Sequence, residues 1–314
     1  MEPTTNDTTN DINQSIAEYE KLYDELITKL EKCGSIAKLA KEYSTSIAKP
    51  GTSMLSIAEK TEDFIREKGG QPAFPVNLSL NDSAAHFTPS AEDKQVVPES
   101  GLLKVDVGVH LDGWITDTAV TVDLAGNYSE IADTAKLALD NALSEMKAGV
   151  SSRQIGKVIQ TTIKSKGFKP VENLCGHSLE RWILHAGLEI PNVEMGGHIL
   201  QEGEIFAVEP FVSNGTGMVH EVAGETEIYS VASNKQVRLP ESRRLLALVL
   251  EEYRLLPFAK RWLQEIPSLN LAINDLSRQG VLHGYPVLKE SPGSIVAQAE
   301  TTVVVEKDSV RILV

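Results

Sequence analysis

The hydrophobic pattern of the first 70 residues is helical. Apolar side chains recur every three or four positions from residue 16 to about residue 46, which predicts a helix with one apolar face, and a second helical stretch continues to Ile47. Pro50 and Gly51 end this pattern. A further helix is predicted from residue 53 to about residue 68, where two consecutive glycines provide a C-terminal stop. The polar residues 1–14 predict a disordered tail.

A weak internal repeat covers this last helix. Shifting the chain by 98 residues places residues 49–72 on residues 147–170 with eight identities in 24 positions, where chance would give about one or two. Two amphipathic helices that end alike would produce such a match. A duplicated helix-then-strand half, with a site between the two halves, would produce it as well.

Strand-like alternation dominates the rest of the chain. Residues 102–123 alternate strongly around Asp112-Gly113, the dipeptide favoured in two-residue hairpin turns. Further strands are predicted at 204–212, 218–230, 294–306 and 309–313. Residues 235–289 instead predict helices that interrupt the β region. The chain is therefore expected to be a mixed α/β protein with antiparallel sheets, helices against them and a helical insertion.

Composition and charge narrow the possible partners and compartments. The chain carries 44 acidic and 30 basic residues, a net charge of −14, which argues against a generic nucleic-acid binder. Residues 235–289 carry nine basic and five acidic residues, so this segment is at +4 and the rest at −18. The sequence contains neither a run of 18 apolar residues nor a signal-like N-terminus, so we expect a cytoplasmic protein with no membrane partner. Both cysteines, Cys33 and Cys175, are expected to be reduced.

The hairpin at 102–123 carries the first candidate chemistry. With Asp112 and Gly113 in the turn, Asp106 and Asp117 lie on one face as diagonal neighbours about 7–8 Å apart. Two carboxylates in this arrangement repel each other unless a cation lies between them. A hairpin whose polar face meets water would show the same alternation.

Two more carboxylates favour a shared site. Glu209 lies within IFAVEPFV and Glu300 within IVAQAETTVVV, strands that otherwise read as buried. A buried, unpaired carboxylate is costly, so each is expected to be paired, protonated or bound to metal. His177 and His185 lie in CGHSLERWILHAG, and Gly176 beside the first suggests close backbone approach, as at a ligand site. Two aspartates, two glutamates and His177 form an oxygen-rich set whose charge of −4 would balance two divalent cations.

These residues carry a family resemblance. FPVNLSLNDSAAHFTP, KVDVGVHLDGWITDTAVT, NLCGHSLERWILHAG, FAVEPF, GYPVLKE and IVAQAE resemble, in this order, the motifs of archaeal-style type 2 methionine aminopeptidases. The resemblance spans about residues 35–314. It implies a pita-bread fold with pseudo-two-fold symmetry, a catalytic domain formed by 15–234 and 290–314, and a helical insertion at 235–289. The family usually has an aromatic residue before Glu300 and a histidine after it, where this chain has Ala299 and Thr301.

The resemblance also assigns roles. It implies hydrolytic removal of the initiator methionine from nascent chains when the second residue is small, with two divalent metal ions (Co, Mn, Fe or Zn) as cofactors. The implied metal ligands are Asp106, Asp117, His177, Glu209 and Glu300, with Asp117 and Glu300 bridging. Glu209 would also transfer the proton, His86 would contact the substrate main chain and His185 would help to polarise the scissile carbonyl. The implied methionine pocket consists of Phe74, Leu184, His220 and Tyr285.

Two other functions fit parts of the sequence. One is a catalytically silent pita-bread protein that binds ribosomes or RNA, although such relatives normally lose metal ligands. The other is an X-Pro dipeptidase, which is disfavoured by the helical insertion and by the expected lack of an extra N-terminal domain. For the peptidase, we expect a monomer whose contact with the ribosome, if it forms one, is made through the basic segment 235–289.

Overall fold

The structure is a computed structural model that describes the backbone of residues 5–314 and the side chains of residues 21–314. The helices are α1 Thr5–Ile47, α2 Met54–Glu67, α3 Ser129–Glu145, α4 Ser152–Ser165, α5 Pro240–Glu252 and α6 Leu269–Arg278. The strands are β1 Gln71–Pro72, β2 Asn77–Leu80, β3 Ser83–Ala85, β4 Leu102–Leu111, β5 Trp114–Asp123, β6 Lys169–Pro170, β7 Cys175–Ser178, β8 Glu189–Pro191, β9 Ile205–Val208, β10 Phe211–Ser213, β11 His220–Val231, β12 Phe258–Ala259, β13 Leu282–Lys289, β14 Val296–Gln298, β15 Thr301–Val305 and β16 Val310–Ile312. Within residues 5–314, no helix is both long and apolar enough to cross a membrane.

Helix α1 differs from its prediction. Its backbone is helical from Thr5 rather than from residue 16, and it continues to Ile47 as one helix instead of two. Of the tail predicted for residues 1–14, residues 1–4 lie outside the described residues, and the backbone of residues 5–14 belongs to α1. Farther along this helix, buried Ala37 and Ala40 pack in the same apolar cluster as Val105, Val107 and Val109 of β4. Helix α1 therefore covers the outer face of the predicted hairpin.

The 98-residue repeat of the sequence is also a repeat of the structure. The bounds of α2 and β1 become those of α4 and β6 when 98 is added to each residue number. Ser53 and Ser151 are the two N-caps, and each side chain accepts a backbone hydrogen bond from the first turn of its helix. Gly51 and Gly149, which precede them, both have φ of +83°. The structure thus supports a duplicated half rather than two helices that end alike by chance.

The sheets bring the two halves together. In the first half, β4 pairs with β1, β2 and β5, while the second half contains the sheet β16-β15-β9-β7-β8 and the smaller sheet β14-β10-β6. Strand β5 lies against the second half, because the backbone N–H of Asp117 donates to Thr302 Oγ1 at 2.7 Å and Thr118 Oγ1 donates to the Glu300 carbonyl at 2.8 Å. Helices α3 and α4 cover the outer side of the second half with a separate apolar cluster. The strand pairs formed within residues 5–314 are antiparallel, as expected from the sequence.

The segment 235–289 is less helical than predicted. Helices α5 and α6 share an apolar cluster with Phe258 and Leu263. Residues 258–263 form β12 and a short 3₁₀ helix, Lys260–Leu263, instead of a continuous α-helix, and Pro257 disfavours helical backbone immediately before them. Residues 282–289, predicted as part of the helical insertion, form strand β13 between β11 and β3. The segment is therefore joined to the catalytic body by backbone pairing.

Candidate metal centre

The two aspartates of the hairpin lie as the alternation predicts. Asp106 on β4 is opposite Ala119, and Asp117 on β5 is opposite Gly108, around a turn in which Asp112 and Gly113 have φ of 50° and 86°. Positive φ at both positions is the geometry of a type I′ turn, whose twist matches that of the strands it joins. The valines on the other face of β4 are buried under α1. This packing fixes which face of the hairpin carries the carboxylates.

The two glutamates lie at breaks in their strands. Strand β9 pairs with β15 so that Val208 is opposite Thr301, and β10 pairs with β14 so that Phe211 is opposite Gln298. The same register places Glu209 opposite Glu300. The predicted strands 204–212 and 294–306 are therefore each split in two. The break in the first contains Pro210, which has no backbone N–H for the ladder, and the break in the second lies opposite it. The split lets both carboxylates leave the sheet on the side of the hairpin aspartates, where they line one cavity with them.

His177 completes this group from β7. Its Nε2 lies 3.6 Å from Asp117 Oδ2 and 3.8 Å from Glu209 Oε1. One ligand atom each from Asp117, His177 and Glu300 lies within 4.8 Å of the others, an arrangement that can hold a metal ion. Asp106 and Glu209 line the same cavity. The neighbouring glycine, Gly176, is required by close approach of the β9 backbone, because a Cβ there would lie 2.4 Å from the Ala207 carbonyl oxygen; the predicted approach to a ligand is instead an approach to the next strand.

Electrostatics at this cluster favour bound cations. Burial raises the pKa of Asp106 to about 7. The pKa values of Asp117, Glu209 and Glu300 also lie well above their ordinary values, because burial and then the neighbouring carboxylates disfavour the charged forms. Burial lowers the pKa of His177 to about 4, so its imidazole is neutral at pH 7 and can act as a ligand. A divalent cation would reverse the balance for the carboxylates and keep them ionised.

The surrounding residues hold the ligating groups in place. Gln298 Nε2 donates to Glu209 Oε2 at 3.2 Å and to Glu300 Oε2 at 3.3 Å, so one amide orients both glutamates. Lys41 on α1 donates to Thr118 Oγ1 at 2.6 Å. Burial lowers the pKa of Lys41, while the charge of Glu300 acts in the opposite direction. The partly buried ammonium of Lys41 therefore acts on the carboxylates from the side of helix α1.

The residues present fit a site for two divalent metal ions. Asp106 Oδ1 and Asp117 Oδ1 are buried without a hydrogen-bond partner among the described residues. A buried carboxylate oxygen without a donor is costly unless a cation satisfies it. Carboxylate oxygens with one imidazole nitrogen suit Mn, Fe, Co and Zn. The sequence predicted this donor set, and the structure brings its five members to one cavity.

Most of the predicted substrate-binding residues border the same cavity, whose volume is about 70 Å³. Phe74 and Leu184 form apolar wall, and Tyr285 enters from β13, where its hydroxyl is 3.0 Å from Ser230 Oγ. His86 and His185 complete the predicted set. Four lining residues were missed by sequence reasoning: Asn77, Ala85, Ile228 and Pro257. For Asn77, its register opposite Asp106 on β4 could have indicated the position, whereas Ile228 and Pro257 lie far from the recognised motifs.

His86 and His185 are both neutral. Burial lowers the pKa of His86 to about 4 and that of His185 to about 2. His86 has φ of 65°, and its Nδ1 lies 3.2 Å from the Pro286 carbonyl oxygen. Because a carbonyl can only accept, Nδ1 carries the proton, and Nε2 remains an acceptor. The His185 ring packs edge-on against His177 at a centroid distance of 4.3 Å, next to the predicted metal ligands.

The prediction for His220 is wrong in its placement. This histidine is exposed at the start of β11, opposite Lys289, and it is not among the described residues that line the cavity. Strand β11 reaches the cavity through Ile228, eight residues later, which corresponds to about 26 Å of extended chain. The segment GTGMVHEV, which contains His220 and matches the family pattern, therefore leads into the beginning of the strand rather than into the pocket.

Comparison with known proteins identifies the family. The sequence model described as Metallopeptidase family M24 matches residues 28–242. The chain is also 49% identical over 291 residues to a methionine aminopeptidase from Pyrococcus horikoshii, a match that covers 91% of this chain and 98% of the relative. The chain belongs to Metallopeptidase family M24.

Solved structures agree at the level of the fold. A thermophilic Arx1 superposes with a TM-score of 0.82 at 16% identity, covering 92% of this chain and 90% of that chain. The methionine aminopeptidase from Thermotoga maritima superposes with a TM-score of 0.68 at 20% identity, covering 92% and 96%. These likenesses concern the fold alone, and they confirm the pita-bread architecture that the resemblance implied.

Proposed function

We propose that this protein is a type 2 methionine aminopeptidase that removes the initiator methionine from nascent chains when the second residue is small. The observation that carries the proposal is the convergence of Asp106, Asp117, His177, Glu209 and Glu300 on one small cavity with an apolar wall. The relative from Pyrococcus horikoshii that is 49% identical to this chain is named methionine aminopeptidase, which also supports the proposal.

The size of the cavity supports cleavage at a chain end. A volume of about 70 Å³ is of the order of one side chain. Phe74, Leu184 and Ile228 offer apolar wall, which suits the flexible, polarisable thioether of methionine. The acidic side of the cavity would receive the free α-amine of the substrate. Together these features support an aminopeptidase over an endopeptidase.

The side chains divide the chemical work. Two bound divalent ions would supply Lewis-acid polarisation of the scissile carbonyl and lower the pKa of an attacking water. Glu209, which Gln298 holds by hydrogen bonding, accepts the proton from that water and delivers it to the leaving amine. The unprotonated Nε2 of His86 accepts a hydrogen bond from the substrate main chain. His185, neutral beside His177, helps to orient the carbonyl.

The preference for a small second residue rests on His86. This ring is held by the Pro286 carbonyl and lies edge-on to Tyr285 at a centroid distance of 5.6 Å. It lines both this cavity and a larger neighbouring one, so the remaining peptide would pass it in leaving the first. A bulky second side chain would meet a fixed ring there.

Peptide hydrolysis tests the proposal. With Mn²⁺ or Co²⁺ added, Met-Ala-Ser should be cleaved after methionine, Met-Leu-Ser much more slowly, and Ala-Pro not at all. A chelator should abolish the cleavage. Absence of turnover with every metal would overturn the proposed activity, and preferred cleavage of Ala-Pro would assign the site to a proline-directed peptidase.

We also propose that the protein acts in the cytoplasm, as a monomer, with any ribosome contact made through residues 235–289. Arg243, Arg244 and Arg278 are exposed on this segment and support the proposal. Arg261, which the charge count included, is buried and paired with Glu62, so it belongs to the interior instead. Reversing the three exposed arginines should weaken salt-sensitive co-sedimentation with ribosomes without slowing Met-Ala-Ser hydrolysis. Unchanged co-sedimentation would contradict this contact.

A further inference from the structure

A second, larger cavity adjoins the candidate metal centre. Its volume is about 380 Å³, and His86 belongs to the walls of both cavities. The larger cavity lies between strand β2, the loop that follows β3, and the parts of β11 and β13 around Glu225 and Lys289. A peptide with its first residue in the small cavity would pass His86 and enter the larger one.

The walls of this cavity are acidic. Four carboxylates line it, and we name them the acidic groove: Asp82, Asp93, Glu225 and Glu227. In the described lining they face one lysine, Lys289, whose Nζ lies 3.1 Å from Glu225. Lys260 approaches Glu227 only to 3.9 Å. Within the lining itself, four carboxylates against one lysine leave an excess of negative charge. Lys260 and Arg261 beside Glu227, and Lys104 near Asp82, offset part of it from outside the lining.

Uncharged groups in the same cavity point to a polypeptide as its ligand. Ser83 is 6% exposed and lines the groove, yet its Oγ has no hydrogen-bond partner among the described residues. A buried hydroxyl of this kind carries an energetic cost that a ligand can remove. The ladder between β11 and β13 also skips residues 222–225, two of which line the groove. This irregular stretch of β11 is where an extended peptide in the groove would meet strand main chain.

The dimensions define how much peptide the groove takes. The groove has several times the volume of the small cavity, and three extended residues span about 10 Å. The second residue passes His86, so the groove accommodates the third to fifth residues. We propose that the acidic groove is a binding site for these residues of the substrate and selects lysine or arginine among them. This inference rests on the proposed aminopeptidase activity and adds a second level of specificity to it.

Three peptides that differ only in charge test the proposal: Met-Ala-Lys-Lys-Lys-Trp, Met-Ala-Gln-Gln-Gln-Trp and Met-Ala-Glu-Glu-Glu-Trp. We expect kcat/KM for the basic peptide to exceed that for the neutral peptide by about threefold to tenfold, with the acidic peptide slowest, since each exposed ion pair contributes modestly. The ratio of kcat/KM for the basic peptide to that for the neutral peptide should approach one in high salt, because exposed charges are screened. In the double variant Asp93→Asn/Glu227→Gln, the basic-to-neutral ratio should fall toward one.

The matched control removes two exposed acids elsewhere, Asp133→Asn/Glu145→Gln on α3, and should retain the wild-type ratio. Equal kcat/KM for the three peptides, with Met-Ala-Ser still cleaved, would overturn the groove proposal and leave the proposed function standing. A ratio that falls equally in the control variant would show that net charge, and not the groove, selects the substrate. Failure to cleave any peptide, Met-Ala-Ser included, would overturn the proposed function itself.

Discussion

A buried ion pair makes the stability of the catalytic body depend on the segment 235–289. Glu62 on α2 and Arg261 in the 3₁₀ helix have side chains that are each 2% exposed. Glu62 also accepts hydrogen bonds from Trp262 Nε1 at 2.7 Å and from the backbone N–H of Val76 at 3.1 Å. Arg261 Nη1 donates to Thr88 Oγ1 at 2.6 Å. The pair therefore connects the segment to the chain that leads from Phe74 into the cavity wall.

Removing one partner should be strongly destabilising. Burial raises the pKa of Glu62, and the charge of Arg261 opposes this effect. In Arg261→Met the buried carboxylate of Glu62 loses its positive partner. In Glu62→Gln the buried guanidinium of Arg261 loses its negative partner. Each single variant should lower the free energy of unfolding by about 3–5 kcal/mol. The double variant leaves neither charge unpaired, so its loss should be about 1–3 kcal/mol smaller than the sum of the two.

Urea unfolding followed by circular dichroism measures these changes. The exposed pair Glu306 and Arg311, with an N···O distance of 3.0 Å and no contact to Glu62, provides the matched control, and Arg311→Met should cost less than about 1 kcal/mol. In variants that remain folded, the KM for Met-Ala-Ser should rise, because Glu62 holds the backbone of Val76 and Val76 lies between the cavity-lining residues Phe74 and Asn77. Losses below about 1 kcal/mol in both single variants, or strict additivity in the double variant, would refute the reasoning.

Three further predictions concern single groups. Asp106→Asn or His177→Ala should reduce bound metal in elemental analysis after dialysis, and unchanged stoichiometry would contradict the ligand assignment. Glu209→Gln should lower kcat by about 10²–10⁴-fold because it removes the proposed base; a loss of only a few-fold would require another base. Burial lowers the pKa of Lys104 to about 7, so from pH 7 to 10 the unfolded chain binds a proton that the folded chain does not. The free energy of unfolding should therefore rise with pH across this window by about 3–4 kcal/mol more in wild type than in Lys104→Met, as measured by urea unfolding; parallel pH profiles would exclude this contribution.

The parts of the site that the sequence predicted correctly are those set by short-range geometry. Asp106 and Asp117 follow from a turn and a two-residue period, and the repeat of α2 in α4 follows from identities at one fixed shift. Glu209 and Glu300 were recognisable as carboxylates in apolar strands. The sequence did not reveal that they lie directly opposite each other, because this depends on the pairing of strands about 90 residues apart.

The errors come from contacts that no local pattern encodes. His220 belongs to a recognised motif, but the length of β11 carries it away from the cavity. Arg261 is one of the nine basic residues counted for a ribosome-facing segment, although Glu62, 199 residues earlier, binds it in the interior. Strand β13 was included within the bounds of the helical insertion, whereas it pairs with β11 and β3 in a sheet. In each case the tertiary partner, and not the intrinsic propensity, decides the outcome.

The repeat has a consequence for how the metal centre is assembled. The first half supplies Asp106 and Asp117, whereas the second half supplies His177, Glu209 and Glu300, so the duplicated scaffold is symmetric and its chemistry is not. Neither half, as a separate polypeptide, would contain a complete coordination sphere. Metal affinity in this protein thus depends on the interface between the two related halves. Binding of a cation there would stabilise the association of one half with the other.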